Sequence, residues 1–424
     1  MLESLRVNLQ PVMLASLTTA IGFSTMNFSE VPPFAHMGTQ VAIGVVMSFF
    51  LTVTFLPAIL TIFPVKPSAT RSEQGKWIHA FSGFVVTHHR KLLISLSTLV
   101  IIAIANLPRN EINDIFLHYF DPSLDFRHDS DFLIDNLTGI DFINFSVDSG
   151  SSGAISEPEF LTDIEKFSAW LKSQPETTHV DNITNVVTRL YTSMHGDDES
   201  YYRLPNEREL AAQYLLLYEL SLPYGLDLNN QINVDKSQTK VSVTTDVLSS
   251  QEMIDFNRRA LSWATENLNS IDKIESAGVS LMFAYIGQRN NYSMLAGTAL
   301  ALVLISLVMM IALRSVRIGM ISLLPNLAPA AVAFGIWGIF VGEIGLSLSI
   351  VAGMTFGIVV DDSVHFLSKY LRARRENHLT PPDAVRYAFD TVGRALMVTT
   401  IVLILGFSVV ATSNFAINGD MGLM

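Results

Sequence analysis

Apolar stretches, all but the sixth of them uncharged, recur seven times along the chain, and each approaches the roughly 20 residues that an α-helix needs to cross a membrane. They are residues 12–28, 41–63, 92–107, 292–313, 318–341, 346–367 and 395–412. Of the 424 residues, 49% are hydrophobic and only 16% are charged, with a mean hydropathy of +0.37. This composition excludes an ordinary soluble enzyme and predicts a multi-pass α-helical membrane protein.

Charge divides the chain into three parts. Residues 108–291 hold 29 of the 39 acidic and 13 of the 27 basic residues, a net charge of −16, against +4 for the rest. The division predicts a membrane part over 1–107 with three spans, an acidic soluble domain over 108–291, and a membrane part over 292–424 with four spans. An acidic exposed domain argues against nucleic acid as a partner. The absence of cysteine excludes disulfides and Cys-ligated zinc.

Basic residues in the short loops predict the orientation in the membrane. They follow the second, fourth and sixth spans: Lys66, Arg71, Lys76, Arg90 and Lys91; Arg314 and Arg317; Lys369, Arg372, Arg374, Arg375 and Arg386. All three loops fall on one side, which we expect to be cytoplasmic. The acidic domain is then extracytoplasmic, or periplasmic in a cell with two membranes, and the chain lies in the inner (plasma) membrane.

The acidic domain alternates between strand-like and helix-like periodicity. Residues 142–147 and 180–187 read as strands around a helix at 158–172, and 240–247 and 273–283 read as strands around a helix at 250–268. Two βαβ-like units predict an α/β sandwich of the ferredoxin-like type. Residues 206–224 form an apolar-faced helix, which either faces the core or walls a hydrophobic cleft.

Two short motifs repeat at the same offset. Gly-Phe-Ser occurs at 22–24 and 406–408, and Met-Gly occurs at 37–38 and 421–422, both 384 residues apart. The shared offset predicts an internal duplication. We expect the chain to cover little more than one repeat, with the counterpart of Asp361 lying ahead of residue 1.

Two adjacent carboxylates, Asp361 and Asp362, interrupt the sixth span. Each ionised aspartate at the middle of a membrane helix costs about 2.5–3.5 kcal/mol, so a pair there predicts a function, which we take to be proton relay. The alternative is that the pair lies at the inner membrane interface and only solvates the helix end. Gly353, Gly357, Asp361 and His365 recur every four residues, so the glycines allow close helix packing and His365 extends the relay.

Other polar residues in the membrane part carry weaker predictions. Thr399 and Thr400 in the seventh span are candidate hydrogen-bond partners of the carboxylates. Pro325 and Pro329 in the fifth span predict a kink. Residues 76–91 read as an amphipathic helix at the cytoplasmic interface.

No enzyme, metal or cofactor motif accompanies the aspartate pair. The chain has no GxxxxGK[ST], GxSxG or HExxH motif. We therefore expect neither an enzyme nor a bound metal or cofactor, and an ion gradient is left as the energy source.

The motif GIVVDDSVHFLSKY at 357–370, the LPNLAPA segment at 324–330 and the large domain between spans resemble the resistance-nodulation-division (RND) superfamily, and within it the MMPL-type exporters. The resemblance implies that the seven spans are the fifth to eleventh helices of a twelve-helix transporter. It implies that Asp361 and Asp362 are relay acids of the tenth helix and that 108–291 is a porter-type domain. In RND multidrug pumps the pair lies in helix four, which favours the MMPL branch here.

The function expected on this resemblance is proton-driven export of a hydrophobic or lipid-like substrate, with protons and membrane lipids as further partners. Two alternatives are a sterol- or lipid-sensing receptor without transport and an accessory of the protein-secretion channel. The residues leave open which lipophile is bound and whether the chain forms homo-oligomers.

Overall fold

The structure is a computed structural model that describes residues 2–63, 71–223 and 228–424. It separates into two compact units: unit 1, formed by 1–112 and 288–424, and unit 2, formed by 113–287. Lys66 and Tyr224, which belong to segments interpreted above, lie outside the described residues.

Helices make up most of the described chain. In order they are α1 (Leu2–Ser24), α2 (Pro32–Ile62), α3 (Arg71–Thr87), α4 (His89–Asn106), α5 (Asp125–Asn136), α6 (Pro158–Lys172), α7 (Ile183–Met194), α8 (Arg208–Ser221), α9 (Ser250–Asn267), α10 (Val279–Ala312), α11 (Val316–Phe340), α12 (Leu346–Arg375), α13 (Pro381–Val410) and α14 (Ala416–Leu423).

The strands are short and few. They are β1 (Glu111–Ile112), β2 (Asp141–Asp148), β3 (Thr177–Asp181), β4 (Gln238–Thr245), β5 (Lys273–Ala277) and β6 (Glu343–Ile344). β1 and β6 form a small parallel pair in unit 1, and the other four form an antiparallel sheet in unit 2 in the order β3-β4-β2-β5.

Six of the described helices are long and apolar enough to span a membrane: α2, α4, α10, α11, α12 and α13. The protein is therefore a multi-pass membrane protein. The first predicted span, 12–28, is not among the six: it lies in α1, which ends at Ser24 and is followed by a 3₁₀ turn over Thr25–Phe28. Polar residues such as Gln10, Thr18 and Thr19 make α1 less apolar than the other six, and α1 packs along α12.

Unit 1 repeats one close contact at both ends of the chain. A Cβ on Gly38 would lie 2.6 Å from the carbonyl oxygen of Phe23, and a Cβ on Gly422 would lie 2.7 Å from that of Phe407. The two glycines are 384 residues apart, and so are the two phenylalanines and the starts of α2 and α14. The repeated contact agrees with the predicted duplication.

Unit 2 buries one face of its sheet. Ile143, Phe145 and Val147 of β2 alternate with exposed or half-buried neighbours, as expected for a strand with one covered face. They pack with Phe160 and Phe167 of α6 in a single core that α9 also covers. Burial of these aromatic and branched side chains provides the main stabilisation of the unit.

Two predicted strands extend too far. The strand at 180–187 ends at Asp181, because the side chain of Asn182 accepts a hydrogen bond from the Thr184 backbone N–H and starts α7. Ile183 and Val187 are then buried at helical spacing. The strand at 273–283 ends at Ala277, and α10 begins at Val279.

The predicted amphipathic helix at 76–91 also ends early. α3 stops at Thr87, and α4 begins at His89. α3 packs on α13 through an edge-to-face contact of Phe81 with Phe389, whose centroids are 5.5 Å apart.

Candidate functional site

The aspartate pair lies within α12, a continuous 30-residue helix that begins after Gly345. The side chain of Asp361 is 40% exposed, and Asp362 is exposed. The two residues differ in their surroundings because successive residues on a helix point about 100° apart. Asp361 therefore faces neighbouring helices while Asp362 faces outward.

Asp361 contacts His365 one turn further along α12. The Nε2 atom of His365 lies 3.3 Å from Oδ1 of Asp361, and the His365 side chain is 25% exposed. Oδ1 is buried and has no hydrogen-bond partner among the described residues, so the contact has ion-pair distance without hydrogen-bond geometry. The structure thus brings Asp361 and His365 together, as the four-residue spacing predicts.

The glycines of α12 lie at the crossing with α1. A Cβ on Gly22 would be 2.6 Å from the Cα of Gly357, so the two helices touch through their backbones. Thr19 of α1 donates its hydroxyl to the carbonyl oxygen of Gly357 at 3.0 Å. One turn away, a Cβ on Gly353 would be 2.6 Å from Oγ1 of Thr25.

Three polar residues near the pair were not assigned to it from the sequence, which placed Lys369 in the loop after the sixth span and Asn326 in a predicted kink. Ser363 donates a hydrogen bond of 2.6 Å to Oδ1 of Asn326, which is 2% exposed in α11. Lys369 belongs to the same helix as the aspartates, is 5% exposed and donates to Oδ1 of Asn8 at 2.8 Å. Two sequence signals could have indicated these residues. Asn326 lies between Pro325 and Pro329, and polar residues recur every four positions along α12 up to Lys369.

Thr399 and Thr400 do not join the aspartates. The Thr399 hydroxyl donates to the carbonyl oxygens of Ala395 and Leu396, and the Thr400 hydroxyl donates to that of Leu396. Both side chains are exposed on α13. Their hydrogen bonds are satisfied within their own helix, as is common for Ser and Thr in apolar helices.

Unit 2 contains a separate cleft of about 900 Å³ on the sheet face opposite the core. Its apolar wall is aromatic: Phe116 stacks on Phe283 with centroids 5.1 Å apart, and Phe126 and Phe142 are about half exposed beside them. Arg127 holds the segment that carries Phe116 by donating to the carbonyl oxygen of Phe120 at 3.3 Å.

The floor of the cleft is polar. β4 contributes Lys240 and Ser242, and β3 contributes His179 and Asp181. Ser242 donates to the side-chain oxygen of Asn144 at 2.7 Å. An aromatic wall over a polar floor suits an amphipathic or lipophilic ligand.

Helix α8 does not line this cleft. Ala211, Tyr214 and Leu215 are buried in the unit 2 core, whereas Leu217 and Leu220 are exposed. The helix therefore faces the core, which was one of the two interpretations of residues 206–224.

Asp141 at the edge of the cleft gives a pH-dependent prediction. Burial raises its pKa, and hydrogen bonds from the Ser280 hydroxyl and the Leu248 backbone N–H offset this only in part. The folded state then holds the proton more tightly than the unfolded state, so ionised Asp141 lowers stability as the pH rises through the folded pKa.

Asp141→Asn is expected to raise the Tm at pH 7, because the amide carries no charge and keeps an acceptor for Ser280. The difference should vanish below about pH 4, where Asp141 is protonated in both states. Thermal unfolding at both pH values tests this, with the exposed Asp135→Asn as control. Equal Tm values at pH 7 would contradict it.

No group of three His, Asp or Glu side chains among the described residues is placed to hold a metal ion. The candidate residues of unit 1 are Asp361, Asp362 and His365, and the candidate site of unit 2 is the cleft with an aromatic wall and a polar floor.

Solved structures similar to the chain include the hedgehog release protein Disp from the water bear Hypsibius dujardini, with a TM-score of 0.58 and 13% identity over 99% of this chain and 56% of that one. They also include SecDF, a translocon-associated membrane protein from Thermus thermophilus, with a TM-score of 0.49 and 14% identity over 99% and 46% of the two chains. The chain thus spans about half the length of these structures. No curated protein matches it in sequence.

The sequence also matches the model of the MMPL family over residues 1–90 and 233–424. The matched residues include α1, α12 and both aspartates, and they cover more than half of the chain. The chain therefore belongs to the MMPL family.

Proposed function

We propose that the chain acts in proton-driven export of hydrophobic or lipid-like compounds, with Asp361 and Asp362 as the proton carriers. The observation that carries the proposal is the half-buried Asp361, which lies 3.3 Å from His365 within a helix that is long and apolar enough to span a membrane. Such a carboxylate is costly in a membrane unless it serves a function, and reversible protonation is the function that its chemistry offers.

The helix crossing supplies a way to convert protonation into motion. Asp361 is one turn from Gly357, where α12 meets α1 through backbone atoms. Protonation removes a charge one turn from this backbone contact, so the preferred packing of α1 on α12 changes with the charge.

In this proposal, unit 2 is a ferredoxin-like domain of the porter type, exposed on the outer side of the inner membrane. Two successive βαβ units in a sheet of order β3-β4-β2-β5 support the ferredoxin-like fold. The basic residues of the short loops support the orientation. The aromatic cleft is the proposed substrate site, because it has an apolar wall and its volume of about 900 Å³ is large enough for a lipophile.

A pH gradient across sealed vesicles tests the proposal. With the protein reconstituted as the cell makes it, we expect a lipophilic fluorescent probe to be moved only while the gradient is present, and a protonophore to stop the movement. Probe binding that is saturable but insensitive to the gradient would contradict transport and would instead indicate a lipid-sensing receptor. Co-purification with the secretion channel, again without probe transport, would indicate an accessory of that channel.

A further inference from the structure

Small and polar residues form a column along α12 that leads to Asp361. Ser349, Gly353, Gly357 and Asp361 recur every four residues and span about 18 Å of the helix. Ser349 and Gly353 contact polar groups of α10, and Gly357 contacts a polar group of α1. All of these residues belong to unit 1.

The end of the column at Ser349 carries a buried polar cluster. Asn290 accepts a hydrogen bond from Ser29 at 2.6 Å and donates one to Ser349 at 3.3 Å. The adjacent Asn291 is 2% exposed, yet neither its amide nitrogen nor its amide oxygen has a hydrogen-bond partner in the described chain. Buried amides of this kind are normally satisfied by ordered water.

A second polar group follows two turns further along α10. Thr298 lies seven residues after Asn291, on the same side of the helix. Its buried hydroxyl has no hydrogen-bond partner in the described part of the chain either, and a Cβ on Gly353 would lie 3.6 Å from it and 2.6 Å from the hydroxyl oxygen of Thr25. Beyond this point the Thr19–Gly357 hydrogen bond leads to Asp361.

Methionines separate the two polar groups. Met294 lies between Asn291 and Thr298 on α10 and is fully buried with Met26 and Met354 in one cluster. Methionine side chains are unbranched and flexible, so they fill a gap between helices and can still change rotamer. A methionine cluster can therefore close a passage in one arrangement and open it in another.

We propose that protons reach Asp361 through water along the polar seam formed by Ser29, Asn290, Asn291, Thr298, Thr25 and Thr19, and that Met26, Met294 and Met354 close this seam in the structure. The inference rests on the proposed function, because it assigns the entry route for the same proton carrier. Water that enters past the methionines satisfies Asn291 and Thr298 and joins them into one hydrogen-bonded path.

Because the chain contains no cysteine, a single introduced thiol reports water access to the seam directly. The test compares Thr298→Cys in the native background with Thr298→Cys combined with Met294→Ser, in vesicles exposed to a small cationic methanethiosulfonate. We expect labelling to be about tenfold faster with Met294→Ser, because the shorter polar side chain opens the closed arrangement. Ala299→Cys, exposed on the apolar outside of α10, is the control and should not respond.

Met354→Ser provides a second opening variant with the same readout, should Met294→Ser fail to fold. Labelling of Thr298→Cys that is fast without either serine, or unchanged with a folded serine variant, would overturn the proposal. The measurement needs no transport, so its outcome is separate from that of the proposed function.

Discussion

Replacing both carboxylates, Asp361→Asn with Asp362→Asn, is expected to lower gradient-driven transport by about 100-fold or more. Asparagine has nearly the same size and hydrogen-bonding reach as aspartate, but it cannot take up and release a proton near neutral pH. The comparison of transport rates should be made at equal protein content in the vesicles. A double variant that transports at the native rate would remove the aspartates from the mechanism.

The single variants should differ. Asp361 has a buried oxygen next to His365, whereas Asp362 is exposed on α12. We therefore expect Asp361→Asn to account for most of the loss. Asp390→Asn, which makes the same change on α13 away from this site, is the matched control and should transport normally.

Adding one methyl group at Gly22 is expected to destabilise unit 1, whereas adding one at the repeat-related Gly406 is not. A Cβ on Gly22 would lie 2.6 Å from the Cα and 2.8 Å from the nitrogen of Gly357, so the helices must separate. Overpacking of this kind costs on the order of 1–3 kcal/mol. Gly406 has nothing within 4 Å, and alanine there should stabilise the helix by about 0.5–1 kcal/mol.

Thermal unfolding in detergent distinguishes the two alanine variants by the sign of the change in Tm. Gly22→Ala should lower the Tm and also reduce transport, because the α1–α12 crossing lies next to Asp361. Gly406→Ala should leave transport unchanged. If both variants shift the Tm in the same direction by the same amount, the crossing is not as close as the structure has it.

The sequence predicted six of the seven membrane spans correctly, and the His365 contact, because both depend on local patterns. Hydrophobic length identifies a span without knowledge of its neighbours. A four-residue spacing places Asp361 and His365 together in any helix. The six apolar helices and the 3.3 Å contact follow directly from these two rules.

Contacts between distant segments were not predictable in the same way. Gly22 was recognised only as part of a repeat, and nothing in its neighbourhood indicates that it meets Gly357, 335 residues later. Thr399 and Thr400 were assigned to the aspartates on residue type alone, but their hydroxyls are satisfied within α13. In both cases the packing of helices against each other decides the outcome, and periodicity does not encode it.

The same limit applies to unit 2. Residues 183–187 are β-branched and apolar, which suits a strand, yet the cap supplied by Asn182 makes them helical. The cleft was expected, if anywhere, beside residues 206–224. It lies instead on the uncovered sheet face, where side chains from separate strands and from the Phe116 segment meet.

The backbone contact between Gly22 and Gly357 also has a mechanical consequence. At this point the two helices are as near as their backbones allow, whereas Leu14 of α1 and Phe356 of α12 are buried together in a side-chain cluster. A movement of α1 on α12 therefore has to break the Thr19–Gly357 hydrogen bond and repack the side chains beside the crossing. Because α1 continues through the Thr25–Phe28 turn into α2, such a movement also shifts the start of α2.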